Sequence, residues 1–343
     1  VIVKAHPAHP GTSELVATIL SAAVEASGLH RGVFSLLFDA GHAVGTALVQ
    51  HPAVEAVGFT GSHRAGRTLM DLAAKRHKPI PVYAEMGSTN PVFILPEALA
   101  ARGEEIAAGL HGSFTLGAGQ FCTKPGMVFA KSQRAQSFAE RMRSLTQAGP
   151  AFSLLTKGIA SMYEKRMSER QSLLTATGAS ASDGFSAKPM LVETTFDHFS
   201  SNPDLAEEVF GPTTLLVHYE NAADLLKAAH ALEGHLTATV HGTENDLREN
   251  AELIRVLETK AGRVIINGFP TGVEVCHAMV HGGPYPSTSD GRSTSVGSQA
   301  IFRFARPVAY QGFPQVLLPE ALQDDNPLKL LRLRNGQWTG PQA

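Results

Sequence analysis

Apolar positions along the chain fall into two alternating periods. Short β-branched runs at residues 1–5, 33–38, 54–59 and 80–84 predict strands, and between them the spacing at 13–26, 42–49 and 64–75 is helical. Strands separated by helices of that length imply right-handed crossovers and a mainly parallel, doubly wound layer. A second alternation follows. Strands are predicted at 91–95, 127–130, 213–218, 236–240 and 263–266, with helices at 133–145, 222–232 and 244–259. The expected fold class is therefore α/β: an incomplete, doubly wound parallel-sheet domain followed by a second α/β domain. Residues 156–189 carry no clear period and are read as helical, whereas 281–298, rich in Gly, Pro, Ser and Thr, read as a long ordered loop. The chain opens inside a strand pattern, Val1-Ile-Val-Lys-Ala5, as expected of a piece of a longer polypeptide.

Composition narrows the function. With 343 residues, 43% hydrophobic and 17% charged, the chain has the length of about two domains. Its 29 basic and 31 acidic residues are well mixed, so neither a nucleic-acid partner nor an anionic membrane is expected. No apolar run reaches the ~20 residues of a membrane span and no signal sequence opens the chain. Two cysteines exclude a disulfide framework and point to a reducing compartment, so a cytoplasmic location is expected. No metal site is expected.

Candidate chemistry sits in four places. Gly58-Phe-Thr-Gly61-Ser62 closes a predicted strand, with Gly66 one turn into the next helix; backbone N–H groups there suit a phosphate, although such glycines also make plain βα turns. Ala84-Glu85-Met-Gly87 ends an apolar strand, where a general base or a solvated loop acid fits equally well. Gly119-Gln-Phe-Cys122 follows a glycine turn. A thiol there needs local N–H groups or cations to lower its pKa, and by spacing alone Cys122 is as well read as a small core residue. Cys276, within the mostly apolar run 273–279, reads as core. Glu207-Glu208-Val-Phe210-Gly-Pro212 reads by itself as a solvated helix end.

Taken in order, Phe59-Thr-Gly-Ser62, Glu85-Met-Gly87, Gly119-Gln-Phe-Cys122 and Glu207-Glu208-Val-Phe-Gly-Pro212 resemble the signature series of the aldehyde dehydrogenase superfamily, from Lys4 to about Pro307. Glu85-Met-Gly-Ser-Thr-Asn-Pro91, Gly272-Val-Glu-Val-Cys276, His281-Gly-Gly-Pro-Tyr-Pro286 and Thr294-Ser-Val-Gly297 are similar to its 2-oxoglutarate semialdehyde dehydrogenases. NADP-linked fatty aldehyde dehydrogenases share much of this pattern and are the rival, and a non-catalytic family member is the reading from another class. The resemblance implies residues 1–86 as the later part of an NAD(P)-binding domain, 87–304 as a catalytic domain and 305–343 as an oligomerisation strand and tail.

It also implies roles. Cys122 is the nucleophile and Glu85 the base that hydrolyses a thioester. Lys4 matches a contact to the adenosine ribose, Gly61 and Ser62 to the pyrophosphate, and Glu208 with Phe210 to the nicotinamide ribose. NAD-preferring relatives carry a Glu three residues after the lysine; here Pro7 stands there beside His6, so NADP is expected, with NAD possible. Phe121, Phe269 and His281 are candidates for the substrate pocket, His281 being read mainly as an ordinary loop histidine among 15. Asn90 is expected either to order the nucleophile's loop or to form an Asx-turn before Pro91. The family's second oxyanion donor, an Asn, lies upstream of the first matching strand, so the 343-residue chain is expected to be catalytically crippled. Arg303-Phe-Ala-Arg-Pro-Val-Ala-Tyr310 is similar to the closing strand that pairs between subunits, implying a homodimer or homotetramer.

Overall fold

The computed structural model describes residues 1–181 and 184–340. Contacts divide the chain into two units, Val1–Arg303 and Phe304–Ala343.

In the larger unit, β1 (Ile2–Lys4), α1 (Pro10–Ala26) and β2 (Ser35–Leu37) form a parallel βαβ step with Ile2 opposite Ser35. After α2 (Ala43–Gln50), β3 (Val57–Thr60), α3 (His63–Ala74) and β4 (Val82–Glu85) repeat it, with Thr60 opposite Glu85. Strand direction is as the alternation predicts, but the single layer expected across four strands is instead two separate pairs. No run in the described residues supplies a strand to join β2 to β3. Val49, Ala73 and Ile80 make a small core beneath the second pair.

The remaining strands are β5 (Val92–Ile94), β6 (Met127–Lys131), β7 (Phe152–Ser153), β8 (Leu174–Thr177), β9 (Ser186–Ala187), β10 (Met190–Thr195), β11 (Thr213–Tyr219), β12 (His235–His241) and β13 (Ala261–Ile266). Seven of them build one sheet in the order β13-β12-β5-β6-β11-β10-β8, parallel except for the β10–β8 edge. β5 and β6 are continuous apolar runs because both sheet faces are covered. Phe93 and Phe129 stack on one face, with centroids 4.8 Å apart, while Val92, Ile94, Val128 and Ala130 fill the other.

Helices α4 (Pro96–Thr115) and α5 (Gln136–Gln147) cover the second face. On the Phe93 side pack α6 (Lys157–Glu169), α7 (Phe196–Ser201) and α8 (Ala222–Ala231), together with Leu253 and Leu257. The helix expected over 244–259 is two, α9 (Glu244–Glu249) and α10 (Ala251–Glu258). Asn250 breaks it: its backbone leaves the helical region and its Nδ2 bonds the Asp246 carbonyl. The segment read as helical over 156–189 is α6 followed by β8 and β9.

The loop after β13 returns alongside β4. Met86 N–H donates to the Ser287 carbonyl (2.7 Å), Ser289 N–H to that of Ala84 (2.9 Å), and Ser289 Oγ accepts the Ala84 N–H (2.8 Å). It passes so near the sheet that a Cβ on Gly283 would strike the His235 carbonyl. Among the described residues, no helix is long and apolar enough to cross a membrane.

The smaller unit holds short 3-10 turns and a hairpin of β14 (Arg332–Arg334) and β15 (Gln337–Thr339). Residues 305–310, expected as a strand, have no regular structure and are exposed.

Candidate active site

Glu85 ends β4, and its register with Thr60 sets it beside the glycine turn, where Gly61 N–H donates to the Glu85 carbonyl (3.0 Å). Gly61 and Ser62 are exposed at the start of α3, with Ser62 Oγ capping the Ala65 N–H. Gly66 lies under Met86, and any Cβ there would collide with the methionine. The first two sequence motifs thus form one structural element.

Cys122 follows α4 through a tight turn. Gly117, Ala118 and Gly119 all have φ near +60°, and a Cβ on Gly119 would run into the Gly211 carbonyl. This close approach brings the Glu207–Pro212 segment against the Cys122 loop. Asn90, wholly buried at φ +47, ties the loop down. Its Nδ2 donates to the Cys122 (2.9 Å) and Lys124 (3.0 Å) carbonyls, and its Oδ1 accepts from Ser88 Oγ and from Thr237 N–H and Oγ1. Of the two readings from sequence, ordering the loop matches this geometry.

His281 occupies the centre. It is 4% exposed, and its Nε2 lies 3.3 Å from Cys122 Sγ and 3.2 Å from Glu85 Oε1. The reading of His281 as an ordinary loop histidine is therefore corrected: the return of its loop along β4 buries it between two reactive side chains. A carboxylate only accepts, so Nε2 carries a proton when it bonds Glu85. Ser295 Oγ donates to the other carboxylate oxygen at 2.7 Å, and Thr294 Oγ1 accepts the His281 N–H.

Burial raises the Glu85 carboxyl, but hydrogen bonding and charge from His281, with help from Ser295 and Cys122, leave it below its ordinary value. Cys122 behaves in the opposite way. Burial, then the charge and hydrogen bond of Glu85, push the thiol up to about 12 against the pull of the Cys122 and Thr123 N–H groups. The lowered thiol pKa that sequence reasoning required is not its resting condition, because burial and then the neighbouring carboxylate hold the proton on sulfur. The arrangement can pass that proton from sulfur to the carboxylate.

Glu208 is half-buried, while Glu207 is exposed and paired with Arg166. The Glu208 carboxylate rests over Gly87, where a Cβ would come within 2.5 Å of its Oε2, and it accepts from the Ser88 backbone. Burial raises its pKa; the nearby ammonium of Lys124 opposes this. Lys124, 1% exposed, donates to the Val209 (2.8 Å) and Thr213 (3.0 Å) carbonyls, and burial lowers its pKa. Phe210 is half-buried beside Glu208. Lys4 lies elsewhere, half-buried at the end of β1, with Asp39 and His6 within its field.

Phe121 is 38% exposed next to Cys122, with its ring over Gly117. Phe269 instead packs on Gly109 of α4 and against His241. Cys276 is not core: it is half-buried in a loop where Val275 is exposed, because residues 273–279 form no strand. Sequence reasoning missed Ser295, Lys124 and Arg263. A lysine two residues after the thiol and just before an apolar strand was a usable signal. A hydroxyl in a Ser/Thr-rich loop was not.

The family model for the aldehyde dehydrogenase family matches residues 1–305. The chain is 48% identical over 350 residues to alpha-ketoglutaric semialdehyde dehydrogenase 2 of Azospirillum brasilense, covering 98% of this chain and 65% of that protein. It is 45% identical over 345 residues to alpha-ketoglutaric semialdehyde dehydrogenase of Acinetobacter baylyi, covering 99% and 65%. The chain thus spans slightly less than two thirds of the length of these relatives. Among solved structures, gamma-glutamyl-gamma-aminobutyraldehyde dehydrogenase from Burkholderia cenocepacia shares the fold, with TM-score 0.74 at 21% identity over 88% of this chain and 60% of that one. With that match over most of its length, the chain belongs to the aldehyde dehydrogenase family.

Proposed function

We propose that this chain forms the larger part of an enzyme that oxidises an aldehyde to a carboxylic acid with a nicotinamide cofactor, the substrate being 2-oxoglutarate semialdehyde. The observation that carries the reading is the Cys122–His281–Glu85 cluster, with contacts of 3.3 and 3.2 Å, in a chain 48% identical to a protein named for that substrate. Residues 1–86 are read as the later part of the cofactor domain, 87–304 as the catalytic domain and 305–343 as an assembly segment and tail.

In this reading the Cys122 proton moves to Glu85 as sulfur attacks the aldehyde carbon. The tetrahedral oxyanion accepts the Cys122 backbone N–H, a fixed donor worth a few kcal/mol. A nicotinamide cofactor, when bound, supplies the hydride acceptor that lets this adduct become a thioester on Cys122. Glu85, held by His281 and Ser295, loses that first proton to solvent, then takes one from the water that hydrolyses the thioester and returns it to the departing thiolate as the acid is released.

The chain's residues fit such a cofactor. The exposed N-terminus of α3, with Gly61 and Ser62, suits a pyrophosphate, and the Glu208 carboxylate over Gly87, flanked by Phe210, suits ribose hydroxyls. Lys4 at the end of β1 gathers with His6 and His9, the two imidazoles stacked at 4.9 Å, and although Asp39 lies within the field of Lys4, Pro7 stands where NAD-preferring relatives carry a Glu. A 2′-phosphate is favoured there, hence NADP over NAD.

The distal carboxylate of the substrate has a candidate partner in Arg263. Its guanidinium lies close enough to Cys122 to interact with the thiolate once that forms, its Nη atoms bond the Pro270 and Gly272 carbonyls, and its Nε is buried without a hydrogen-bond partner. Phe269 packs into the α4 contact, so of the two phenylalanines expected in an apolar channel for a fatty aldehyde, Phe121 is the one beside Cys122. Single-turnover oxidation of 2-oxoglutarate semialdehyde and of a medium-chain aldehyde, each with NADP and NAD, tests the reading. Faster oxidation of the semialdehyde with NADP is expected; preference for the aliphatic aldehyde refutes the substrate, and preference for NAD refutes the cofactor.

A further inference from the structure

Cys122, His281 and Glu85 offer a sulfur, a nitrogen and an oxygen that all lie within 4.8 Å of one another. Sequence reasoning expected no metal site. Zinc bonds to thiolate at about 2.3 Å, to imidazole at about 2.0–2.1 Å and to carboxylate at about 2.0–2.2 Å, so tetrahedral placement sets sulfur and nitrogen about 3.6 Å apart and nitrogen and oxygen about 3.3 Å apart. The observed separations are 3.3 Å for Cys122 Sγ to His281 Nε2 and 3.2 Å for His281 Nε2 to Glu85 Oε1. Side-chain rotation that brings Cys122 Sγ and the Glu85 oxygen, now within 4.8 Å, to about 3.6 Å would admit an ion at the centre of the three.

We propose that this cluster is a zinc site, with Cys122, His281 and Glu85 as three protein ligands and the fourth position left to water. The donor set suits the ion: thiolate and imidazole select zinc over magnesium or calcium. The support behind the ligands is already built. Ser295 Oγ holds the second carboxylate oxygen at 2.7 Å, Thr294 fixes the His281 backbone, and Asn90 fixes the carbonyl of Cys122. Zn2+ displaces the proton of the Cys122 thiol, which leaves to solvent, and no oxidation state changes. Binding follows from the geometry alone. The consequence for turnover rests on the proposed function: zinc occupies both nucleophile and base, so the enzyme is switched off reversibly until a chelator removes the ion.

The test uses chelator-treated protein titrated with Zn2+ against a coloured zinc indicator, and with Co2+ as an optical probe. One ion per chain is expected to bind at micromolar or lower concentration. The cobalt form should show a thiolate-to-metal charge-transfer band and the intense visible bands of a four-coordinate ion. Bound zinc should protect Cys122, but not Cys276, from alkylation. Cys122→Ser and His281→Gln should each weaken binding by more than about 100-fold, Ser295→Ala by about 10-fold, and Cys276→Ser not at all. Circular dichroism of each variant checks folding, and the cobalt spectrum of the unaltered protein decides the question even if a variant fails to fold. Binding retained in folded Cys122→Ser, or a cobalt form without the thiolate band, overturns the site. If zinc binds as described while no aldehyde is oxidised, the site stands and the proposed function fails.

Discussion

Replacing Glu85 by Gln removes the charge that, after burial, keeps the proton on Cys122. Sulfur and carboxylate oxygen lie within 4.8 Å, and at an effective dielectric of about 20 one unit charge at that distance is worth about 3.5 kcal/mol, or roughly 2.5 in pKa. Cys122 is only half-buried, so solvent reduces this to about 1–2. The direction is fixed, because loss of a neighbouring negative charge favours thiolate. Burial remains, so the thiol stays above its ordinary value. A less basic thiolate is also a weaker nucleophile, with a Brønsted slope of about 0.4–0.5, which cancels about half of the gain in thiolate. In a Cys276→Ser background, alkylation of Cys122 by iodoacetamide at about pH 8–9 should therefore be roughly 3–10-fold faster in Glu85→Gln. An equal or slower rate would show that the carboxylate does not control the thiol.

Asn90→Ala should leave the Cys122 and Lys124 carbonyls without their donor and lower stability by about 2–4 kcal/mol, read from denaturant midpoints, with loss of Cys122 reactivity; unchanged stability would remove Asn90 from its ordering role. Glu193 accepts from Arg143, His218 and Thr175, and although burial opposes them these contacts hold its carboxyl at about 2. A depressed carboxyl stabilises the fold above its ordinary pKa and loses that contribution as pH falls through about 2. Glu193→Gln should thus cost about 1–3 kcal/mol at neutral pH, allowing for the partly exposed Arg143, and the gap should narrow in acid; a gap independent of pH contradicts the assignment. Arg263→Met should raise KM for 2-oxoglutarate semialdehyde at least about 10-fold while leaving an uncharged aldehyde of similar length little affected. Equal effects on both would assign Arg263 to structure rather than to the distal carboxylate.

Where side-chain burial decided the backbone, the sequence was readable. Val92–Ile94 and Met127–Lys131 stand out as apolar runs because both of their faces are covered. Met190–Thr195 was not assigned because Glu193 interrupts the apolar pattern, a charge tolerated there only through its bonds to Arg143 and His218. Asn250 split a helix whose apolar spacing continues across the break. At the site, Cys122 and Glu85 were visible as members of an ordered motif series and not from spacing. His281 was singled out only as a pocket candidate and Ser295 not at all, because their placement comes from hydrogen bonds made some 200 residues apart, between a loop without periodicity and β4.

Acid-quenched mass spectrometry tests the central claim most directly. An activated ester such as p-nitrophenyl acetate presents an acyl carbon to the thiol without requiring a cofactor, and it reads both nucleophile and base. The acyl mass should map to Cys122, vanish in Cys122→Ser, and persist at least about 10-fold longer in Glu85→Gln, where hydrolysis lacks its base. Acylation at Cys276 or elsewhere, or an adduct on Cys122 whose lifetime is indifferent to Glu85, would contradict the account.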